Sequence, residues 1–191
     1  LYSEQIVRSV SDQRGRTEVP DALYEPLLAR LHASGQAVPV IEAAAVIGRR
    51  FDRGLLRSIC TQSADEIDDA LDQLEDSLVI EPTGPDTWRF RGNLLHELAC
   101  ELTPASVRSA LHANAADALV HGAAEGDQDW RLIAAHYEQA ERFDDAISAY
   151  RHASAAARRR GALAEARTYL TLALAQLEHT AAGLDRARKE V

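Results

Sequence analysis

The acidic stretch Ser63–Ile80, SADEIDDALDQLEDSLVI, decides the fold that we predict for this chain. Its apolar residues recur at the spacing of one helical face and are Ala64, Ile67, Ala70, Leu71, Leu74 and Leu78. Ser63 and Glu66 form a capping-box pattern, in which each side chain accepts a hydrogen bond from the backbone amide of the other residue. The segment carries seven acidic residues and no basic one. It therefore predicts an amphipathic helix with one apolar face and one strongly acidic face.

A short β-hairpin is predicted directly after the acidic helix. The sequence LVIEPTGPDTWRFR places two extended segments around a turn at Thr83–Asp86, which contains glycine and proline. Trp88 and Phe90 point to one side of the second strand, while Arg89 and Arg91 point to the other. This alternation is typical of a strand with one buried face.

Three helices are predicted before the acidic helix. Pro20 begins the first at a position where its missing N–H costs nothing, and Ser34–Gly35 ends it. The nearly all-apolar segment 38–47 predicts a buried helix that Gly48 ends, and residues 51–60 predict a third, short helix. Helices followed by a hairpin are the element order of a winged helix. The acidic helix occupies the position that reads DNA in such folds.

Two further helices are predicted after the hairpin. The first covers residues 93–102, and the second runs from Thr103 to about residue 120. Thr103 is predicted as the N-cap of the second helix, with Pro104 at its first helical position. The small and acidic residues 123–128 predict a linker between two subdomains.

Beyond the linker, helices are predicted over 130–140, 143–159 and 163–178, with a final helix beginning near Leu184. The second and third of these repeat each other at a spacing of twenty residues. The repeat aligns Ala146, Tyr150, Ala153 and Ala157 with Ala166, Leu170, Ala173 and Leu177. Alternating small and large residues allow close packing of antiparallel helices, as in stacked helical-hairpin repeats.

The predicted fold class is therefore all-α with one small β-hairpin. A winged-helix subdomain with trailing helices covers residues 19–122, and the start of a tetratricopeptide-like repeat array covers residues 129–191. Residues 1–18 form a short amphipathic segment and a polar loop, which we interpret as the end of a preceding domain.

The composition disfavours several functional classes. A net charge of −9 argues against general nucleic-acid binding, because phosphate affinity depends on clustered lysine and arginine. No apolar run approaches the ~18 residues of a membrane span, and no signal-peptide pattern is present, so we expect a cytoplasmic protein without a membrane partner. Cys60 and Cys100 have apolar neighbours, which favours two reduced, buried thiols over a disulfide.

Several phrases of the sequence resemble one family. VPDALYEPLLARL, IEAAAVIGRRFDRGLL, DEIDDALDQLEDSLVIEP, WRFR and VRSALHANAADAL are similar to the segment that follows the nucleotide-binding domain in bacterial STAND-type signalling ATPases. Large LuxR-type transcription regulators of the MalT kind and multidomain adenylate cyclases carry such modules. Residues 134–177 resemble the start of their tetratricopeptide-like array, and LYSEQIV at residues 1–7 resembles the last helix of their ATPase lid.

The resemblance implies a non-catalytic segment that couples an upstream nucleotide switch to a helical sensor arm. ATP or ADP would bind to the upstream ATPase domain of the same chain, because the GxxxxGK[ST] phosphate loop is absent here. A protein or small-molecule inducer would bind to the helical repeats. Family members often carry a histidine two residues after the WRF phenylalanine. Gly92 stands at that position, so a direct contact with bound nucleotide lacks its usual residue.

The acidic face also bears on the choice between a DNA partner and a protein partner. A recognition helix needs Arg, Lys, Asn or Gln to meet base edges and phosphates. Carboxylates repel phosphate, so we favour a protein–protein role, with Asp68, Asp69 and Asp72 as candidate contacts to a basic partner domain. A winged-helix transcription regulator that binds DNA directly is the alternative.

The sequence does not indicate catalysis. His96 and Cys100, in the sequence HELAC, nearly match the H-E-x-x-H zinc pattern and share one helical face. No third ligand stands out, so a metal-dependent enzyme fragment is the weakest alternative. No nucleophile–base arrangement can be recognised either. We predict that this segment is not an enzyme and holds no cofactor.

The helical repeats contain two sets of candidate contact residues. His136, Tyr137 and Tyr150 are candidates for the concave face of the array, although the tyrosines also fit as large residues packed between alanines. Arg158 and Arg159 are candidates for an anion or partner site. Positive charge at a helix C-terminus also interacts favourably with the helix dipole, which explains the placement of these two arginines without a ligand.

Overall fold

The computed structural model describes residues 35–122 and 128–189, with side chains through residue 180. The predictions for residues 1–34, including the helix that begins at Pro20, and for linker residues 123–127 lie outside this described part. Within it the chain is mostly helical with one small antiparallel sheet, as predicted. After a 3₁₀ turn at Gly35–Ala37, the helices are α1 Val38–Ile47, α2 Arg53–Ile59, α3 Ala64–Asp76, α4 Asn93–Leu102, α5 Ala105–Gly122, α6 Trp130–Gln139, α7 Phe143–Arg159 and α8 Leu163–Lys189. The strands are β1 Arg50–Asp52, β2 Ile80–Gly84 and β3 Thr87–Phe90.

Strand β1 was not predicted, and the helix expected over 51–60 begins at Arg53 instead. Phe51 lies in the core with its ring centroid 6.3 Å from that of Trp88. The side chain of Asp52 then caps α2 by accepting from the Leu55 amide at 2.9 Å. The helical spacing of residues 55–59 led us to begin the predicted helix too early, at residue 51. Phe51 packs against Trp88, which is distant in the sequence, so the local spacing did not indicate a strand.

The acidic helix is confirmed as α3, together with its capping box. The Ser63 amide donates to the Glu66 carboxylate at 2.8 Å, and the Glu66 amide donates to the Ser63 hydroxyl oxygen at 3.3 Å. The helix ends at Asp76, so the placement of Leu78 on its apolar face is wrong, and that side chain is exposed. Leu78 follows with a φ of 58°, which turns the chain into β2.

The hairpin of β2 and β3 is confirmed, although its turn is shorter than predicted and contains only residues 85 and 86. The sheet order is β1-β3-β2, so β3 lies in the middle. Trp88 and Phe90 are buried and Arg89 is exposed, as the alternation predicted.

Thr103 does not cap the helix that follows it. Its hydroxyl donates to the Ala99 carbonyl at 2.7 Å, and its backbone ends α4. Helix α5 begins at Ala105, so Pro104 precedes the first helical residue instead of occupying it. The buried hydroxyl satisfies a terminal carbonyl of α4, which is the alternative role of a threonine at a helix junction.

Helices α6, α7 and α8 are joined by turns of three residues, and each packs against the next. The separate helix expected near Leu184 is wrong, because α8 is continuous from Leu163 to Lys189. The repeat alignment is wrong in part. Ala166 and Ala173 are buried as predicted, but Leu170 and Leu177 are exposed, and Tyr169 and Gln176 lie in the packed face instead.

Two hydrophobic cores are present in the described residues, and α5 contributes to both. The first core lies between α1–α4 and the sheet, and the second lies between α6, α7 and α8. Ala115 is fully buried in the first core, whereas Ala116, the next residue, is fully buried in the second. Helix α5 is therefore a wall shared by the two halves.

Candidate functional site

Helix α5 meets the α6–α7 hairpin through a set of polar contacts that we call the joint. Its members are Ser109, His112 and Asp117 from α5, and His136, Tyr137, Ala140 and Arg142 from the hairpin. These hydrogen bonds run between α5 and the hairpin. The joint therefore fixes the position of the helical array relative to the first core.

Asp117 is the principal acceptor of the joint. The Tyr137 hydroxyl donates to Asp117 Oδ1 at 2.8 Å, and Arg142 Nη1 lies 3.1 Å and 2.9 Å from the two carboxylate oxygens. The Arg142 guanidinium also lies over the Tyr137 ring, 4.7 Å from its centroid, while its Nε donates to Asp145 at 2.8 Å. Burial and the hydrogen bond to Asp117 raise the pKa of Tyr137 to about 12. One carboxylate thus holds donors from the end of α6 and from the turn that follows it.

Two histidines form the second contact of the joint. The Nδ1 atoms of His112 and His136 are 2.8 Å apart, so one imidazole donates and the other must accept through a neutral nitrogen. Burial, the neighbouring His136 and Arg108 lower the pKa of His112 to about 4. Burial also lowers the pKa of His136, whose Nε2 has no hydrogen-bond partner among the described residues. The pair can only persist while at least one ring is uncharged.

The structure places His136 and Tyr137 in this joint, with 5% and 7% of their surface exposed. Their side chains contact α5 and do not line an exposed concave face in the described part of the chain. Tyr150 is likewise buried in the second core, and its hydroxyl donates to Glu138 at 2.6 Å. The sequence singled out His136 and Tyr137 as contacts of a concave face and did not indicate their contacts with α5. It missed their acceptor, Asp117, because a helix period does not show which neighbouring helix a polar side chain meets.

The three candidate aspartates on α3 have different surroundings. Asp68 accepts from Arg53 at 2.9 Å and from Arg57 at 2.8 Å, so it fastens α3 to α2. Asp69 and Asp72 are exposed and form no ion pair among the described residues. The acidic surface available to a partner is therefore formed by Asp69 and Asp72, together with the exposed acids Asp65, Glu66 and Asp76.

A basic surface lies on the outer face of the sheet. It carries the exposed residues Arg49, Arg50, Arg89 and Arg91. Arg50 and Arg89 are paired across β1 and β3, and Glu81 forms ion pairs with Arg89 and Arg91. Arg49 and Arg50 have no carboxylate partner in the described ranges. Strand alternation predicted the outward direction of Arg89 and Arg91, but joining them to Arg50 required knowledge of β1.

Arg158 and Arg159 are exposed at the end of α7. The adjacent Arg160 pairs with Glu165 of α8 at 3.3 Å. This pair lies beside an open groove of about 340 Å³ that is also lined by Trp130 and Tyr169. Of the three consecutive arginines, Arg160 is the one that lines this groove, and its charge is already paired with Glu165.

His96 and Cys100 converge on one backbone oxygen. His96 Nε2 lies 3.0 Å from the Ala45 carbonyl, and Cys100 Sγ lies 3.6 Å from both that oxygen and His96 Nε2. No group of three potential ligands occurs in the described residues. Burial raises the pKa of the Cys100 thiol and raises that of Cys60 to about 11, the opposite of an activated nucleophile. The arrangement serves packing between α1 and α4.

No family model, curated protein or solved structure matches this chain significantly. None of the helices in the described ranges has the length and apolar character needed to cross a lipid bilayer. The joint, the acidic face of α3 and the basic face of the sheet are the features of the described residues that bear on function.

Proposed function

We propose that this chain is a non-catalytic coupling segment of an ATP-dependent signalling or transcription regulator. In it, a winged-helix unit is held rigidly against a tetratricopeptide-like sensor arm. The observation that carries the proposal is the joint, since α5 shares one hydrophobic surface with each half and Asp117 holds the hairpin to it. A contact of this kind transmits a displacement of one half to the other.

The order of elements in the first half supports the winged-helix interpretation. Helix α1 is followed by β1, then by α2 and α3, and then by the β2–β3 hairpin. The sheet order β1-β3-β2 places the hairpin beside the strand that precedes α2. In the proposed winged helix, α3 takes the position of the recognition helix and the hairpin takes that of the wing.

The turns of the second half support the repeat interpretation. Residues 140–142 and 160–162 are twenty residues apart, the spacing of the sequence repeat, and make the same three backbone hydrogen bonds. In each turn the middle residue has a positive φ, 58° at Glu141 and 75° at Gly161. A turn of the same geometry that recurs between successive helices is a feature expected of stacked helical repeats.

In the proposed mechanism, ATP or ADP occupies a domain upstream of residue 1, and its state repositions the winged-helix unit. An inducer that binds to the helical array stabilises one of these positions and so shifts the equilibrium. Asp69 and Asp72 supply an exposed acidic face for a basic domain of the same protein, whereas Asp68 is engaged with α2. Two unpaired cysteines fit a reducing, cytoplasmic location.

One observation favours the alternative of direct DNA binding, namely the basic face of the sheet. Arg49, Arg50, Arg89 and Arg91 would meet phosphates if the wing lay along a duplex. The same pose would bring the acidic face of α3 toward the groove, where Asp69 and Asp72 repel the backbone. The repulsion falls on the element that reads bases, so we favour the coupling role.

Distance measurements between the two halves test the proposal. Spin labels at the exposed positions Thr83 and Arg158, in a chain with Cys60 and Cys100 replaced by alanine, report the position of the wing relative to the array. A rigid joint predicts one narrow distance distribution. Asp117→Ala removes the shared acceptor and is expected to broaden that distribution. Asp144→Ala removes an exposed acid outside the joint and is the matched control.

A broad distribution in the unmodified chain would contradict the coupling role, because freely moving halves transmit no displacement. Tight binding of duplex DNA at about 150 mM salt, lost on Arg50→Ala and Arg89→Ala, would establish the alternative instead.

A further inference from the structure

Four leucines form an exposed stripe along α8. Leu163, Leu170, Leu174 and Leu177 are exposed by 70%, 46%, 63% and 48%. They stand at positions i, i+7, i+11 and i+14, so they lie on one side of the helix. Single exposed leucines need no explanation, but an aligned set of four marks a surface that packs against another helix.

None of the described residues covers this leucine stripe. Helix α8 packs against α7 through a neighbouring face that contains Ala166, Tyr169, Ala173 and Gln176. Helix α8 has 27 residues and α7 has 17. The first residue of α7, Phe143, stacks on His179 at 5.2 Å, so α8 continues past the beginning of its partner.

The spacing of the stripe is that of a coiled coil. Leucine recurs every seven residues at positions 163, 170, 177 and 184, all within the span of α8. A seven-residue repeat keeps its apolar positions against a partner helix of the same period over several turns. At about 1.5 Å per residue, α8 is about 40 Å long, which accommodates nearly four such repeats. Because the stripe consists of leucines alone, the stripes of two copies can pack against each other.

We propose that the leucine stripe binds a second copy of this chain, with the two α8 helices antiparallel and the two α7–α8 hairpins forming a four-helix bundle. The contact uses the same surface on both copies, so the assembly closes as a dimer.

Two charged residues of α8 favour the antiparallel arrangement. Arg167 stands seven residues before Leu174 and so occupies a position of the stripe, and Glu178 lies beside the stripe. Both are exposed and form no ion pair among the described residues. When Leu170 of each copy lies opposite Leu174 of the other, Arg167 is within about 1.5 Å, along the helix axis, of the level of Glu178 in the second copy. A parallel pair would instead place Arg167 opposite Arg167. Within one chain the two residues are about 16 Å apart along α8 and cannot pair.

Sedimentation of the full chain between about 1 and 100 µM tests the dimer. We expect a monomer–dimer equilibrium in this range for the unmodified chain. Leu174→Glu places a charge in the middle of the stripe and is expected to weaken association by about 100-fold or more. Leu172→Glu is the matched control, because Leu172 is on the opposite side of α8 and should leave association unchanged. Circular dichroism checks that both variants remain helical.

A charge exchange identifies the partner as a second copy. Arg167→Glu alone is expected to weaken the dimer by about 3- to 10-fold, because it brings two like charges together twice. The double variant Arg167→Glu with Glu178→Arg is expected to return the dissociation constant to within about 2-fold of its original value.

A chain that stays monomeric throughout the range would overturn the proposal and assign the stripe to a different helix. Equal effects of Leu174→Glu and Leu172→Glu would also overturn it, and so would a charge exchange that fails to restore association. These results are independent of the joint, so they leave the coupling role untouched.

Discussion

At the scale of single residues, the two histidines of the joint make the molecule sensitive to acid. His112 and His136 approach each other through their Nδ1 atoms at 2.8 Å, a contact that two charged imidazoles cannot keep. Arg108, one turn earlier on α5, adds a further positive charge near His112. The electrostatic environment therefore favours the neutral form of His112 in the folded chain.

This environment predicts a loss of stability in mild acid. The pKa of His112 is about 4 in the folded chain and near 6.5 in the unfolded chain, so the unfolded chain binds more protons between these values. The free energy of unfolding should fall as the pH falls from about 6.5 to about 4, and this group has no effect above that window. Urea unfolding of His112→Gln across the window should show a shallower decline.

His179→Gln is the control for that measurement, since it removes an exposed histidine outside the joint. An equal change in the pH dependence of the two variants would show that the His112–His136 contact is not responsible.

At the scale of elements, the turns between the long helices carry a test of backbone strain. Glu141 and Gly161 occupy equivalent positions with φ of 58° and 75°. Glu141→Gly should raise the free energy of unfolding by about 0.5–1 kcal/mol, because a left-handed conformation costs a side-chain-bearing residue more than glycine. Gly161→Ala should lower it by about 1 kcal/mol. A Cβ at Gly161 would meet nothing within 4 Å, so that effect reports the backbone alone.

Denaturant titration of both variants measures these changes. A decrease in stability for Glu141→Gly would show that the side chain of Glu141 contributes more than its backbone costs.

The elements also separate what the sequence predicts from what it cannot. The acidic helix, its capping box and the alternation of Trp88 and Phe90 depend on neighbours within a few residues, and all three were predicted correctly. Strand β1 depends on pairing with β3, so it was missed. The repeat alignment placed Leu170 and Leu177 in the packed face. Ala166 and Ala173 lie one helical turn from both Tyr169 and Leu170, so the spacing does not show which large residue shares their face. Asp117 was not recognised, since its partners lie on other helices.

At the scale of the whole molecule, the shared helix predicts that both halves unfold together. Trp88 lies in the first core, and Trp130 packs against the second with its ring 4.3 Å from that of His152. If either core unfolds, α5 loses the packing on one of its faces. The helix is then less stable, and so is the remaining core that packs against its other face. Thermal unfolding followed by fluorescence in Trp130→Phe and Trp88→Phe reports each half separately, and the two midpoints should agree after correction for the stability of each variant.

Two separate unfolding transitions, one for the first core and one for the helical array, would show that α5 does not couple the stability of the two halves. The ratio of calorimetric to van't Hoff enthalpy of the unmodified chain gives an independent check, and it should be close to one for a single cooperative unit.

The one peptide bond between Ala115 and Ala116 also limits how this segment can be exchanged between proteins. A cut directly after α5 would leave the face of that helix that packs in the second core open to water in the first fragment. A cut before α5 would remove a wall from the first core. Recombination that transfers helices α6–α8 to another protein must therefore carry α5, or supply a helix whose two faces match both neighbours. The boundary between the two halves is therefore α5 itself, because each of its two faces belongs to a different core.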